Sequence, residues 1–371
     1  MRWLRIGIIG GSLAGLFAAV LLQRDGHDVK VYERSKRGLA GRGAGLVPQR
    51  EVFQILRMIG VDHLAQIGVV AHERIFLNLA GEIIQTIRQA QTQISWDLLY
   101  GQVAAHIAPE TYHLASEVVE VGNEGDAATL TFADGSREKA DLVIGADGIS
   151  SVVRRAIAPA QAANRYAGYV AWRGLIAETL LPERAFPLLE RFAFYVAPGD
   201  QALGYLVPGP NGETAKEERR YNWVWYRRVP EQHLGNLFTD RDGRRHSVSL
   251  PRGGLSQDRC QALRDDARIR LPPPFALAVA AEETPSIQGI FDYEAPAMVG
   301  RRIALIGDAA FVVRPHTAMG VGKAAGDVMA LRRHLAAESD LATALAGYER
   351  ERLPVGREIA AYGRQLGATA L

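Results

Sequence analysis

Apolar and polar positions alternate in three different ways along the 371 residues. At the start, Ile6, Ile8 and Ile9 read as a short buried strand that breaks at Gly10-Gly11. Leu16 to Leu22 continues as an apolar helix, and Asp28 to Tyr32 is a second strand that ends in an acid, Glu33. This is a strand–turn–helix–strand unit with glycines at the turn. Beyond the glycine-rich loop Gly38 to Gly45, positions 52, 55, 56 and 59 carry Val, Ile, Leu and Ile at helical spacing. Arg74 to Ile84 and Tyr112 to Val121 read as strands. Ala127 to Phe132 and Gly135 to Lys139 read as a hairpin closed by Asp134-Gly135, and Asp141 to Gly145 as a further buried strand.

From Tyr166 to Tyr226 the texture changes. Tyr169, Trp172, Phe192, Phe194, Tyr195, Tyr205, Tyr221, Trp223, Trp225 and Tyr226 punctuate strand-like runs separated by Pro/Gly turns, the pattern of an antiparallel sheet. Arg259 to Leu271 and Pro274 to Glu282 predict helices. The parallel-sheet texture returns at Arg302 to Asp308, then a helix over Ala324 to Leu335 and one or two more over Leu341 to Leu366. The fold class expected is therefore α/β: a Rossmann-like domain interrupted by an antiparallel-sheet domain and resumed near residue 284, with a helical C-terminus.

Composition changes this picture little. Hydrophobic content of 48% and charged content of 23% are ordinary for a globular enzyme. The net charge of +2 is spread without a basic stripe, so no nucleic-acid partner is expected. One cysteine, Cys260, excludes an intramolecular disulfide and a multi-cysteine metal site, and no metal ligands are assigned. No apolar stretch reaches the roughly 20 residues that span a bilayer. Arg2 and Arg5 before the Ile6–Leu22 run imitate a secretory signal, but no small-residue cleavage site follows, and the segment is read as part of the fold. The expectation is a cytoplasmic protein without a membrane partner, and a homodimer is left open.

The candidate chemistry lies at the glycine turns. Gly10-x-Ser12-x-x-Gly15 has the outline of a pyrophosphate-binding turn, with serine for the second glycine, and the helix amides after it suit an anion. Glu33, 18 residues after Gly15, is placed for a ribose hydroxyl. Two more strand ends carry glycine and acid, Gly145-Ala-Asp147-Gly148 and Gly307-Asp308-Ala309-Ala310. Either alone reads as a turn with a helix cap.

Together and in this order, the three turns resemble the fingerprints of the class A flavoprotein aromatic hydroxylases, the para-hydroxybenzoate hydroxylase-like monooxygenases. The likeness covers essentially the whole chain. It is strongest toward the 2,6-dihydroxypyridine 3-hydroxylase branch, in Gly10 to Gly15, in Tyr166-Ala-Gly-Tyr-Val-Ala-Trp-Arg-Gly174, and in Leu305 to Ala310 with Arg314-Pro-His316. The resemblance implies FAD as resident cofactor, NAD(P)H as co-substrate, and hydroxylation of an electron-rich aromatic or pyridine ring by O2 activated at flavin C4a. It implies FAD-binding segments 1–73, 96–165 and 284–335, a substrate-binding sheet from 74–95 and 166–283, and C-terminal helices over 336–371.

Roles follow by resemblance. Gly10, Gly11, Ser12, Leu13 and Gly15 would hold the pyrophosphate, Glu33 the ribose, Arg34 and Val118 the adenine. Asp147, with Arg154 nearby, would meet the pyrophosphate region and shape NAD(P)H access, and Asp308 would bind the ribityl chain. Pro315 and the amides of Ala318, Met319, Gly320 and Val321 would meet the flavin N1/O2 edge. His316 is the candidate base or substrate hydrogen-bond partner, against the plainer role of ordering its loop. Tyr205 is a second catalytic candidate. Tyr169, Tyr195, Trp223 and Trp225 are weighed as pocket walls, although most of this aromatic set reads as sheet core. Arg173 either binds an acidic substrate group or pairs with a surface carboxylate, and the pairing is expected.

The sequence also departs from the family. Ala318 stands for a glycine and Gly322 for an asparagine, and Ser95-Trp96-Asp97 stands where an arginine is common. Three other classes stay in view: a flavin-dependent halogenase, since Trp223-Val-Trp225 resembles its W-x-W-x-I-P signature without the Ile-Pro; an NAD-dependent dehydrogenase, which leaves Asp147 and Asp308 idle; and a non-catalytic FAD-binding protein.

Overall fold

A computed structural model describes residues 3–39, 41, 45–63 and 68–370, with side chains to 368. Part of the glycine-rich loop (residues 40 and 42–44) and residues 1–2 and 371 lie outside it. Three strands with unbroken apolar runs, Arg5–Ile9, Leu142–Gly145 and Ile303–Leu305, sit side by side in a five-stranded parallel sheet, flanked by Asp28–Tyr32 and Tyr112–His113. Strands buried on both faces must be apolar throughout. The helix Leu13–Arg24 is buried on all sides from Leu16 to Leu22, which explains its lack of an amphipathic stripe. By contrast, Arg50–Ile59 buries only Val52, Ile55, Leu56 and Ile59, the predicted stripe, and ends at Gly60 with a left-handed φ of 80°.

The second body is a nine-stranded sheet. Its main path runs Ser249–Leu250, Ser286–Glu294, Arg165–Ala177, Arg220–Arg228, Asp200–Val207, Arg191–Ala197, Glu73–Leu77, Ile83–Ile87. Period-2 alternation splits its residues between two faces. Trp172, Tyr195, Tyr221, Trp223 and Trp225 share a core with the helices Gln257–Arg270 and Pro273–Ala281. Tyr169, Ala171, Val224 and Tyr226 form a separate cluster on the opposite face. Tyr195, Trp223 and Trp225 are therefore core rather than pocket walls, and the W-x-W likeness is sheet packing.

Three elements differ from the sequence reading. Arg74 to Ile84 is a hairpin, because Asn78 and Gly81 (φ 90°) turn the chain and the Asn78 side chain accepts the Glu82 amide. Tyr112 to Val121 is broken by Ala115 (φ 55°), so its halves join different sheets. The antiparallel sheet also extends past residue 284, since Ser286, Ile287, Gln288 and Gly289 pair with Arg165–Ala177. At the C-terminus one helix, Leu341–Ala370, runs through Pro354. Among the described residues no helix is long and apolar enough to cross a membrane, and no cluster of metal-ligating side chains occurs.

Candidate active site

The first turn is shaped by close approach. Gly10 adopts φ 102°, and a Cβ there would lie 2.4 Å from the Ala146 carbonyl oxygen. A Cβ at Gly15 would lie 1.9 Å from the Gly10 oxygen, so the helix can start this close to the strand only with glycine. Gly11 has its own reason: a Cβ would meet the Tyr112 hydroxyl at 2.0 Å, and that hydroxyl donates to the Gly11 carbonyl. Ser12 is the N-cap, but its side chain caps nothing, and the first turn holds no acid. The opening amides of Leu13–Arg24 are left for an external anion, which the helix dipole favours.

Next to this turn lies a cavity of about 410 Å³, lined by Gly10, Gly11, Ser12, Glu33, Arg34, Trp96, Val118, Asp147 and Gly148 among others. Glu33 is buried. One of its oxygens accepts the Gly11 amide at 3.0 Å and the other the Ser35 amide at 2.8 Å, which fixes the carboxylate toward the cavity with lone pairs to spare. Leu13 and Gly15 are buried within the helix, so they serve by backbone and packing alone. Trp96, where the family carries arginine nearby, lines the cavity and stacks on Tyr100 at 4.9 Å. Arg220 reaches the same corner from the large sheet, donating to Ser95 Oγ and pairing with Asp97 at 3.6 Å.

The second and third turns meet the first directly. Asp147 Oδ2 accepts the amides of Val152 and Val153, the capping role first weighed for a Gly-Asp strand end. Its Oδ1 is buried without a partner among the described residues, and burial pushes its carboxyl above the usual range. Gly307 (φ 60°) packs on Ala14, and its amide donates to Asp327, itself paired with Arg352 at 2.8 Å. Arg154, 1% exposed, joins the turns: it donates to the carbonyls of Gly148 (2.9 Å) and Asp308 (2.8 Å) and to Asn164 (2.8 Å), with its guanidinium 3.8 Å from the Tyr293 ring centroid. Its place is thus inside the scaffold rather than at a nicotinamide entrance.

Lys323 escaped the sequence reading. Its side chain is fully buried, and its ammonium lies 3.5 Å from the half-exposed Asp308 carboxylate, with no hydrogen-bond partner among the described residues. A lysine amid the small residues of Gly320-Val-Gly-Lys-Ala-Ala-Gly326 was the available signal, since a charge rarely enters such a run without a partner. Set beside Asp308, it suits the polar, anionic middle of a dinucleotide.

At the start of the helix Gly320–Ala337 the Ala318 amide donates to Pro315 and the Met319 amide to Thr317 Oγ1. Of the four amides expected at the flavin edge, those of Gly320 and Val321 are the ones that remain open among the described residues. The two departures from the family pattern also fit together. Ala318 holds φ 54°, which glycine adopts freely and alanine at a cost of roughly 1–2 kcal/mol. At Gly322 a Cβ would fall 1.7 Å from Gln49 Oε1, and Gln49 uses that space to donate to the Ala318 carbonyl at 2.7 Å. Ala318→Gly is expected to raise the unfolding free energy of the apoprotein, read from denaturant titration, by up to about 1 kcal/mol, since the lost strain outweighs the gained chain entropy, and to leave FAD content unchanged.

His316 faces the aromatic side of the large sheet. Its Nε2 lies 2.9 Å from the Tyr169 hydroxyl, and its ring is tilted over Tyr226 with centroids 4.4 Å apart. Burial and the nearby Arg314 guanidinium lower its pKa to about 4. Arg314 is itself bidentate to Asp292 and sits 5.6 Å from the Tyr169 ring centroid. Burial pushes the Tyr169 hydroxyl up to about 12. Both groups are neutral at pH 7. An imidazole that binds protons so weakly suits hydrogen bonding better than the base role also considered for it. Tyr205 lies on the same face, stacked on Phe192 at 4.5 Å with its hydroxyl 3.4 Å from the Gly45 carbonyl, and burial raises its pKa too. Arg173, expected to pair with a carboxylate, has none within 4 Å among the described residues; it donates to Gln288 at 2.8 Å. Its charge opposes the upward shift of Tyr205 and Tyr226, which places it beside both rings.

Comparison with known proteins agrees with this geometry. Family descriptions match in three stretches: an NAD(P)-binding Rossmann-like domain over 8–55, an FAD binding domain-like region over 166–292, and an FAD binding domain over 282–362. The 2,6-dihydroxypyridine 3-monooxygenase of Paenarthrobacter nicotinovorans is 32% identical over 355 residues, covering 95% of this chain and 88% of its own length. The 3-amino-4-hydroxybenzoate 2-monooxygenase of Streptomyces cremeus is 30% identical, covering 98% and 87%. The solved 2,6-dihydroxypyridine-3-hydroxylase from Arthrobacter nicotinovorans superposes with a TM-score of 0.93 at 31% identity, over 100% of this chain and 93% of that one. With an uncapped helix start, a cradle that a Cβ would fill, and a buried lysine paired with the half-exposed Asp308, the chain belongs to the FAD-dependent aromatic hydroxylase family and is a flavoprotein monooxygenase.

Proposed function

We propose that this monooxygenase hydroxylates a small, electron-rich hydroxylated ring, with dihydroxypyridines as the preferred class, using NAD(P)H and O2. Bound FAD supplies the electron transfer from NAD(P)H and the activation of oxygen. The turn at Gly10–Gly15, Glu33, Asp308 and Lys323 would hold that cofactor, and the open amides of Gly320 and Val321 would face the flavin edge. The observation that carries the substrate reading is Arg173, a guanidinium with no carboxylate within 4 Å among the described residues, on the face that also carries Tyr169, Tyr205, Tyr226 and His316. A ring hydroxyl entering there meets the Arg173 guanidinium, which favours its anion, and the anion is the nucleophilic form of the ring. Neutral Tyr169 and His316 would orient it by hydrogen bonds while Tyr226 supplies an apolar wall. The two relatives are named for a dihydroxypyridine and an aminohydroxybenzoate, rings of this kind.

The test is a panel of hydroxylated pyridines and phenols offered to the FAD-loaded protein. A ring that accelerates NAD(P)H consumption and yields a product one oxygen heavier supports the reading. A yellow protein whose NAD(P)H oxidation no ring accelerates would return it to the non-catalytic class.

The low pKa of His316 carries its own expectation. Folded His316 refuses a proton until about pH 4, whereas an unfolded histidine accepts one near 6.5. The neutral form is the stabilised one, so stability contributed at His316 is full above pH 6.5 and is lost as pH falls toward 4, by an amount on the order of 1–3 kcal/mol. Melting temperature followed from pH 7 to 4.5 is expected to decline more steeply in the parent than in His316→Gln. Equal slopes would show that His316 is not held in the neutral form.

A further inference from the structure

We propose that Asn222 is a substrate-binding residue that selects nitrogen heterocycles of the 2-pyridone type, in which a ring N–H stands beside a carbonyl. This rests on the hydroxylase reading above and names the substrate feature that Asn222 would recognise.

The strand Arg220–Arg228 alternates strictly. Tyr221, Trp223 and Trp225 turn to the helix-covered core, and Asn222, Val224 and Tyr226 turn to the face where His316 lies. Asn222 is 1% exposed, yet neither its Nδ2 nor its Oδ1 has a hydrogen-bond partner among the described residues. The Tyr221 hydroxyl and Trp223 Nε1 are also unpaired, but each is the rim of a large ring that gains from apolar packing. A carboxamide has almost no apolar surface to gain with, so an unpaired one is costly unless something arrives to pair it. Its direct cross-strand neighbours are Leu175 on one side and Tyr205 on the other. Arg173 lies opposite the next residue on this face, Val224.

A carboxamide presents one donor and one acceptor side by side in a plane. Its complement is a cis-lactam, whose ring N–H would meet Oδ1 while its carbonyl accepts from Nδ2. A 2-hydroxypyridine takes that form as its pyridone tautomer. A phenol of the same outline offers a C–H where the N–H should be and leaves Oδ1 unpaired. Sites built on such hydrogen bonds discriminate strongly, because the wrong ligand strands a buried polar group. Arg173 adds a preference for the ring's anion at its remaining hydroxyl, so the two residues divide the recognition between lactam edge and charge.

The experiment compares 2,6-dihydroxypyridine with 1,3-dihydroxybenzene, which replaces the ring nitrogen by C–H, and measures dissociation constants by perturbation of the flavin spectrum in the FAD-loaded protein. The parent is expected to prefer the pyridine by on the order of 10-fold or more. Asn222→Leu, apolar and of similar size, is expected to bind the pyridine about 10- to 100-fold more weakly and the benzene ring unchanged, with FAD content kept and apoprotein melting temperature equal or higher. Asn222→Asp keeps the shape, loses the donor, and is expected to lose the preference as well, which covers the case of a poorly folding leucine variant. An unchanged pyridine-to-benzene ratio in both variants overturns the assignment and means that the amide pairs only with solvent. If rings stimulate NAD(P)H oxidation but the parent shows no preference, Asn222 alone falls. If no ring binds or stimulates, the hydroxylase reading falls and takes this inference with it.

Discussion

Gly15→Ala is expected to yield a protein that purifies nearly without flavin. The added methyl would sit 1.9 Å from the Gly10 carbonyl oxygen, a backbone atom that cannot rotate away. Gly10 is itself fixed at φ 102° against Ala146, so the strain must be relieved by withdrawing the whole helix Leu13–Arg24. That helix is buried on all sides, and overpacking such an element costs roughly 1–3 kcal/mol. The amides that face the cofactor move with it, which corresponds to roughly 10- to 100-fold weaker FAD binding. Flavin absorbance per protein after purification, and titration of the apoprotein with FAD, measure the effect. Gly11→Ala should be milder, because its obstacle is the Tyr112 ring, a side chain able to shift. Equal losses in the two variants would contradict the distinction drawn here between backbone and side-chain obstruction.

Arg154→Leu is the second large effect. The guanidinium is buried and serves three acceptors on three segments: the carbonyls of Gly148 and Asp308 and the side chain of Asn164. Leucine removes that donor from all three; the Gly148 carbonyl keeps the Ser151 amide, whereas the part-buried bonds to the Asp308 carbonyl and Asn164 Oδ1 are lost at about 1–3 kcal/mol each. A loss of about 2 kcal/mol or more, a large share of an ordinary domain's stability, is expected in the unfolding free energy of the apoprotein from denaturant titration. FAD binding should weaken too, since the second and third turns are no longer tied to one another. Arg154→Lys should not rescue, because one ammonium cannot span acceptors set out for a planar fork. A lysine variant with parental stability would mean that charge, rather than the three-way geometry, is what the site needs.

Much of the fold was legible because local chemistry and tertiary role agreed. The unbroken apolar runs at Ile6, Leu142 and Ile303 became the buried parallel strands, and the stripe at Val52, Ile55, Leu56 and Ile59 became a one-sided helix. The three glycine turns were readable for the same reason, since Gly10 and Gly307 hold φ values that favour glycine. What the sequence hid was side-chain direction over long separations. Alternation shows that Trp223 and Asn222 face opposite ways but not which of them faces the helices. The orientation was settled only by Gln257–Ala281 covering one face. Likewise nothing local in Arg154 reveals a bond to Asp308, 154 positions away. The Asn78–Glu82 turn was the opposite kind of miss: its signals, an asparagine and a glycine, were present in the sequence and were passed over.

Gln49 and Gly322 carry an implication for descent. The two positions lie in distant parts of the chain but compete for the same few ångströms, and the glutamine's amide ties down the Ala318 carbonyl beside the open helix start. A lineage that acquired glutamine at 49 first would have forced it against whatever side chain stood at 322. One that acquired glycine at 322 first would have passed through a loosened cofactor loop until the glutamine filled it. Restoring the family's asparagine at 322 in isolation would not restore an ancestor: it would displace Gln49 and release the loop that Gln49 now holds.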